Sequence, residues 1–325
     1  MPAQALFPGP DGVECSVGAL GEGLLEVGLD PSLAADSLGR GFGGDAANAV
    51  VMAARMGART RLITRVGDDA AGRMLLEFWR AQGMELSAVS IDGTAPTGLY
   101  VNERDESGGH RFSYHRTGSA ASLIAARDAR PATLAGLDVL HVTGVTLSIS
   151  DSAADAADAA ARRARAAGTR VSFAVNFRAQ LKPDRERMTA FARTADIVFL
   201  SGEDARGLLG VERIEEVAAA LDHPAEIVMT HGPEPATFLA GTEQHELTPP
   251  RVTVVDTAGA GDALAGAYLA ARFAGVAPRR ALGYGVVAGA LSCRASGCAR
   301  SYPTAAEVSA AVLTCDGAQP GEVVA

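Results

Sequence analysis

The chain predicts a doubly wound α/β fold, a mostly parallel sheet with helices on both faces. Apolar runs of strand length alternate with Ala-rich runs of helical length through most of the sequence, which is the βαβ rhythm of a parallel sheet. At 325 residues and 48% hydrophobic content, the chain is long enough to bury a substantial core. Late in the chain the rhythm gives way to helices alone, as at the closing edge of such a fold.

The strand series opens with "ECSVGAL" (14–20) and continues with "RLITRV" (61–66), "DVLHVTGV" (138–145), "RVSFAV" (170–175), "DIVFL" (196–200) and "EIVMT" (226–230). Helices are expected between them over about 45–56, 69–82, 151–167, 185–194 and 212–221, and then over about 260–274, 279–294 and 304–314. Residues 24–30, 38–43, 97–103 and 110–116 read as short strands around polar turns outside this series. They form either one small β lid, from about 24–43 and 95–116, or two ordinary surface hairpins. The whole is expected to be one α/β domain, with 316–325 a frayed tail.

A net charge of −9 without a long basic run argues against nucleic-acid binding. No apolar run approaches the roughly 20 residues of a membrane span, and the N-terminus has no basic start followed by an apolar stretch, so no signal peptide is expected. Cys15, Cys293, Cys298 and Cys315 form no CxxC pair, which predicts reduced thiols in a cytoplasmic protein rather than a zinc site.

Two glycine-rich stretches invite a phosphate-binding reading, while the P-loop pattern GxxxxGK[ST] is absent. "GRGFGG" (39–44) satisfies GxGxxG but does not follow a long opening strand, so a dinucleotide site is a remote option. "DTAGAGDALAG" (256–266) has Leu264 where a third glycine would stand. Gly259, Ala260 and Gly261 precede a predicted helix, whose amides and dipole suit an oxyanion or a phosphoryl group in flight. Asp262 behind them suits a general base that takes a proton from an attacking hydroxyl. Read locally, it is equally a first-turn acid favoured by the dipole.

"DTAGAGDALAGAYLA" resembles the C-terminal signature of the PfkB carbohydrate kinases of ribokinase fold. "GGDAANAVVMAARMGARTRLITRVGDDAAGRMLLEFWRAQGM", from Gly43 to Met84, resembles their N-terminal signature. The resemblance covers about residues 14 to 313 and implies a ribokinase-like fold with a β lid, ATP and Mg2+ as cofactors, and phosphorylation of a sugar-like hydroxyl. Within the family, "TGLYVNE", "RFSYHRTGSAAS" and "VNFRAQL" look like 2-keto-3-deoxygluconate kinases. That likeness implies a substrate site of Gly43, Gly44, Asn48, Tyr100, Tyr114, Arg116 and Arg178, with the arginines on a carboxylate. It further implies Asp262 as base, Gly259–Gly261 as anion hole, and Asn176, Ser201, Thr230, Gly232, Asp256 and Thr257 on the nucleotide side. Asp204 is the implied metal residue, many relatives hold a monovalent cation near Asp256, and a homodimer through the lid is a further implication.

The sequence departs from the family pattern at several positions. "SGED" (201–204) stands for Asn-x-x-Glu, Ala174 replaces a usual Asp, Pro235 replaces the second glycine of Gly-x-x-Gly, and Val286 replaces an Asn. The leading expectation is an ATP-dependent kinase for a 2-keto-3-deoxy sugar acid, phosphorylated at a terminal hydroxyl. The rivals are a kinase for a neutral sugar or nucleoside, and a catalytically weakened sugar-acid-binding protein of the same fold.

Overall fold

The computed structural model describes residues 15–29, 38–104 and 110–317. Its first strands are β1 (Ser16–Leu20), β2 (Leu24–Leu29), β3 (Gly39–Gly43), β4 (Arg59–Gly67), β5 (Val89–Asp92), β6 (Leu99–Arg104) and β7 (His110–His115). After these come β8 (Val139–Thr143), β9 (Arg170–Ala174), β10 (Ile197–Ser201), β11 (Glu226–His231), β12 (Glu234–Ala240) and β13 (Glu243–Leu247). The helices are α1 (Asp45–Arg55), α2 (Ala70–Ala81), α3 (Pro131–Leu134), α4 (Asp151–Ala166), α5 (Arg185–Thr194) and α6 (Gly202–Leu209). The series closes with α7 (Ile214–Ala220), α8 (Ala260–Phe273), α9 (Pro278–Ser292), α10 (Cys298–Ser301) and α11 (Ala305–Gly317).

Nine strands make the main sheet, in the order β13-β12-β11-β10-β9-β8-β1-β4-β5. All neighbours from β11 to β5 are parallel, and the β11-β12 and β12-β13 pairs are antiparallel. Side chains alternate between two cores, as the twofold strand repeat requires. Val17 and Ala19 of β1 face a core filled by α1, α2, α8, α9 and α11, whereas Leu20 faces the one filled by α4 to α7. Phe199 and its neighbours Val198 and Leu200 divide in the same way on β10.

The chain leaves β1 toward β4 and β5, then returns to β8 on the other flank of β1. In open sheets of this kind, ligands bind outside the carboxyl ends of the strands beside such a reversal. A second sheet, ordered β3-β2-β6-β7, joins the stretches around 24–43 and 95–116 through the parallel pair β2-β6. The two hairpins are therefore one sheet.

The sequence reading left out β5, β12, β13 and the short helices α3, α6 and α10. "VSID" and "EQHEL" are short, polar edge strands, whose composition resembles loops because their outer side meets water. Pro235 lies in β12 at a register shift opposite Met229 and His231, an irregularity that tolerates its missing N–H. Of the expected frayed tail, residues 316 and 317 continue α11, and 318–325 lie outside the described residues.

Candidate active site

Asp262 is the third residue of α8. Gly259, just before the helix, is left-handed at φ 78°, and a Cβ there would lie 2.8 Å from the Tyr302 hydroxyl, so only glycine suits the turn. Tyr302 Oη donates to the Gly259 carbonyl at 2.8 Å. Buried Asp256 accepts from the Ala258 amide at 2.9 Å and the Gly297 amide at 3.0 Å, which anchors the loop from both sides. The Ala260 amide donates to the Thr257 carbonyl at 3.2 Å. The first-turn amides of Gly261 and Asp262 have no acceptor within the helix. A Cβ at Gly261 would meet open space.

Two asparagines distant in sequence hold the Asp262 carboxylate. Asn48 Nδ2 donates to Oδ2 at 3.0 Å, and Asn176 Nδ2 donates to Oδ1 at 3.3 Å. Asn176, left-handed at φ 38° just beyond β9, also donates to Asp45 Oδ2 at 3.1 Å. The close approach of α1 and α8 brings these groups together: a Cβ on Gly266 would lie 2.1 Å from the Ala49 carbonyl oxygen. Desolvation, reinforced by the Asp45 charge, pushes the Asp262 carboxyl up to about 7, against the hydrogen bonds from Asn48 and Asn176 and the Arg178 cation. A carboxyl poised there accepts a proton near neutrality.

The expected substrate residues gather on the side of the second sheet. Gly44 caps α1 at φ 100°, and a Cβ there would lie 2.2 Å from the Glu22 carbonyl oxygen. A Cβ on Gly43 would press to 2.6 Å against the ring of Tyr100. Tyr100 is buried, its hydroxyl donating to Glu26 Oε2 at 2.8 Å, while Asn102 Nδ2 donates to Glu26 Oε1 at 2.8 Å. Tyr114 stands 5.6 Å from the Tyr100 ring and is 44% exposed, free to meet a ligand. Arg116 stacks on Tyr114, with its guanidinium carbon 3.9 Å from the ring centroid, and pairs with Glu22 at 2.5 Å. Arg178 is exposed, and its charge acts on both Tyr114 and Asp262.

Of the expected nucleotide residues, Ser201, Thr230 and Gly232 lie at the neighbouring strand ends. Ser201 and Thr230 are register partners at the ends of β10 and β11, and Gly232 turns the β11-β12 hairpin at φ 63°. Asp204 was expected to bind metal, but both of its oxygens serve the backbone. Oδ1 accepts from the Phe177 amide at 2.7 Å, and Oδ2 accepts from the Ser201 amide at 2.9 Å and hydroxyl at 2.8 Å. Ser201 Oγ accepts in turn from the Asp204 amide at 3.0 Å, completing a capping box on α6. Among the described residues, no group of three or more His, Cys, Asp or Glu could hold a metal ion. Thr257 is exposed beside the turn, and Ala174 and Val286 are buried in the core.

The family model described as pfkB family carbohydrate kinase matches residues 23–305. The chain belongs to the PfkB carbohydrate kinases. The 2-dehydro-3-deoxygluconokinase of Thermoproteus tenax is 34% identical over 288 residues, covering 85% of this chain and 87% of that relative. The enzyme of the same name from Escherichia coli K12 is 28% identical, covering 80% and 88%. Fructokinase-1 of Oryza sativa subsp. japonica is 29% identical, covering 70% and 72%. Among solved structures, a PfkB protein from Polaromonas sp. JS666 superposes with a TM-score of 0.82 at 30% identity, over 91% of this chain and 99% of that one. The ATP-bound fructokinase of Xylella fastidiosa reaches 0.85 at 23% identity, over 94% and 100%, a likeness of fold.

This PfkB chain is thus an ATP-dependent sugar kinase of ribokinase fold. No helix among its described residues is long and apolar enough to cross a membrane. Sequence reasoning missed three acids of its site: Glu22, Glu26 and Asp45. Asp45 was legible in principle, because it follows the capping Gly44 and opens α1 three residues before Asn48. Glu22 and Glu26 carry no local signal, since their partners lie on β6 and at the end of β7.

Proposed function

We propose that this kinase phosphorylates a 2-keto-3-deoxy sugar acid at a terminal primary hydroxyl. The observation that carries the reading is the pair of arginines beside Tyr114: Arg116 stacked on its ring, and Arg178 close enough to act on both Tyr114 and Asp262. A cation stacked on Tyr114 and a second that acts on both Tyr114 and Asp262 suit a substrate with a carboxylate at one end and a reacting hydroxyl at the other. The relatives named 2-dehydro-3-deoxygluconokinase support the same substrate class.

In this reading Asp262 takes the hydroxyl proton, a role worth about 10²–10⁴ in rate, and Asn48 and Asn176 hold its carboxylate on the attacking oxygen. The Gly261 and Asp262 amides, with the positive end of the α8 dipole, face the charge that develops on transfer. When bound, ATP supplies the phosphoryl group, and Mg2+ neutralises its charge. With Asp204 committed to the backbone, the donor set suits a Mg2+ held mainly by phosphate oxygens and water, the ordinary habit of that ion. Ser201, Thr230, Gly232 and Thr257 flank the phosphates, and the second sheet acts as a lid that excludes water from the site.

A coupled ADP-release assay across keto-deoxy sugar acids, fructose, ribose and nucleosides tests this. The expected outcome is the highest kcat/KM on a sugar acid, lowered about 10- to 100-fold by Arg116→Ala, the loss of one charge-assisted contact. A preference for neutral sugars that survives Arg116→Ala refutes it.

A further inference from the structure

Glu22 stands just past β1, where the strand order reverses, and its side chain is only 2% exposed. Nothing in the proposed reaction uses it. Its Oε1 accepts from Arg116 Nη1 at 2.5 Å, and its Oε2 is buried with no hydrogen-bond partner. Arg116 is gripped on a second side by the face of Tyr114, and its Nε is buried without a partner as well. A buried N–H on a cation carries a desolvation cost unless an acceptor arrives.

The guanidinium is a rigid, planar fork, so fixing one corner fixes the direction of the others. Glu22 occupies Nη1 and Tyr114 covers one face of the plane, so the guanidinium is held on two sides while Nε has no acceptor. A carboxylate is the anion whose geometry matches an arginine fork. We propose that Glu22 is a positioning residue: it holds Arg116 by Nη1 and so fixes the orientation in which the guanidinium meets the substrate's carboxylate.

This rests on the sugar-acid reading above and adds the residue that makes Arg116 selective for it. A negative neighbour would ordinarily repel an incoming carboxylate. Here burial, opposed by Arg116 and aided by Asp45, lifts the Glu22 carboxyl to about 7, which moderates that repulsion.

Steady-state kinetics of the full chain with 2-keto-3-deoxygluconate test the idea. Glu22→Leu removes the acceptor at similar volume, and Glu22→Gln keeps an acceptor without the charge. The expected result for Glu22→Leu is a KM for the sugar acid raised about tenfold or more, the worth of one lost hydrogen bond, with kcat and the KM for ATP nearly unchanged. Glu22→Gln should restore a KM near wild type, which a merely structural role would not single out. If Glu22→Leu does not fold, Glu22→Asp, which withdraws the acceptor by one methylene, should show the same selective rise.

Unchanged KM in the leucine or aspartate variant overturns the proposal, as does a lower KM in both the leucine and glutamine variants, which would make Glu22 a competitor for Arg116. Arg116→Ala, measured alongside, separates the two levels. If it raises the KM while Glu22→Leu does not, only the role of Glu22 falls; if it leaves the KM unchanged, the sugar-acid reading falls with it.

Discussion

Replacing Asn48 by Leu should move the acid limb of the pH–rate profile rather than simply slow the enzyme. Asn48 Nδ2 lies 3.0 Å from Asp262 Oδ2, and this hydrogen bond opposes the desolvation that lifts the carboxyl to about 7. A hydrogen bond to a charged group is worth about 1.5–3 kcal/mol, and one pKa unit is about 1.4 kcal/mol. Losing the bond should therefore raise the acid limb by about one to two units. Since the base must be ionised, wild-type kcat/KM should climb through neutrality and level off above it. At pH 7 the ionised share would fall from about one half to between about a tenth and a hundredth, a loss of roughly 5- to 50-fold. The gap should close as the pH approaches 10. The assay is kcat/KM for the sugar acid from pH 5.5 to 10, with ATP saturating. An equal loss at every pH, or an unmoved limb, would refute the assignment of Asp262 as a base tuned by Asn48.

Two further outcomes follow from the same geometry. Because the Asp262 carboxyl is raised in the folded state, its contribution to stability is complete in acid and is lost as pH rises through about 7. Asp262→Asn should therefore abolish turnover and raise the melting temperature relative to wild type more at pH 8 than at pH 5, by at least about 2 °C; a difference independent of pH would contradict this. Gly266→Ala places a methyl 2.1 Å from the Ala49 carbonyl oxygen, overpacking worth about 1–3 kcal/mol. Calorimetry should show that loss together with slower turnover, because α1 and α8 must separate and carry Asn48 away from Asp262.

The sheet was legible because its central strands are apolar and separated by helices with a matching period. The expected strand "RVSFAV" and helix 185–194 correspond to β9 and α5. The polar edge strands were not legible, because their character comes from facing water beside a neighbour. In the site, Gly259 and Asp262 could be read from a short run of chain, since the turn and the helix start are local. The fate of Asp204 could not: its carboxylate is consumed by the Phe177 amide, 27 residues away.

By itself, then, the sequence determined the βαβ framework, the family signatures and the glycine turn that opens α8 behind Asp262. Helix periodicity and a left-handed glycine are properties of a few neighbouring residues, so they survive without knowledge of the fold. Only the tertiary structure decided what surrounds the aspartate. Asn48 and Asn176 meet it from 214 and 86 residues away. The loss of water, with the Asp45 charge, raises its carboxyl, and Glu22 holds Arg116 across a separation of 94 residues. Desolvation and hydrogen-bond partnership depend on which surfaces are pressed together, and here that was settled by two helices close enough that only a glycine fits between them.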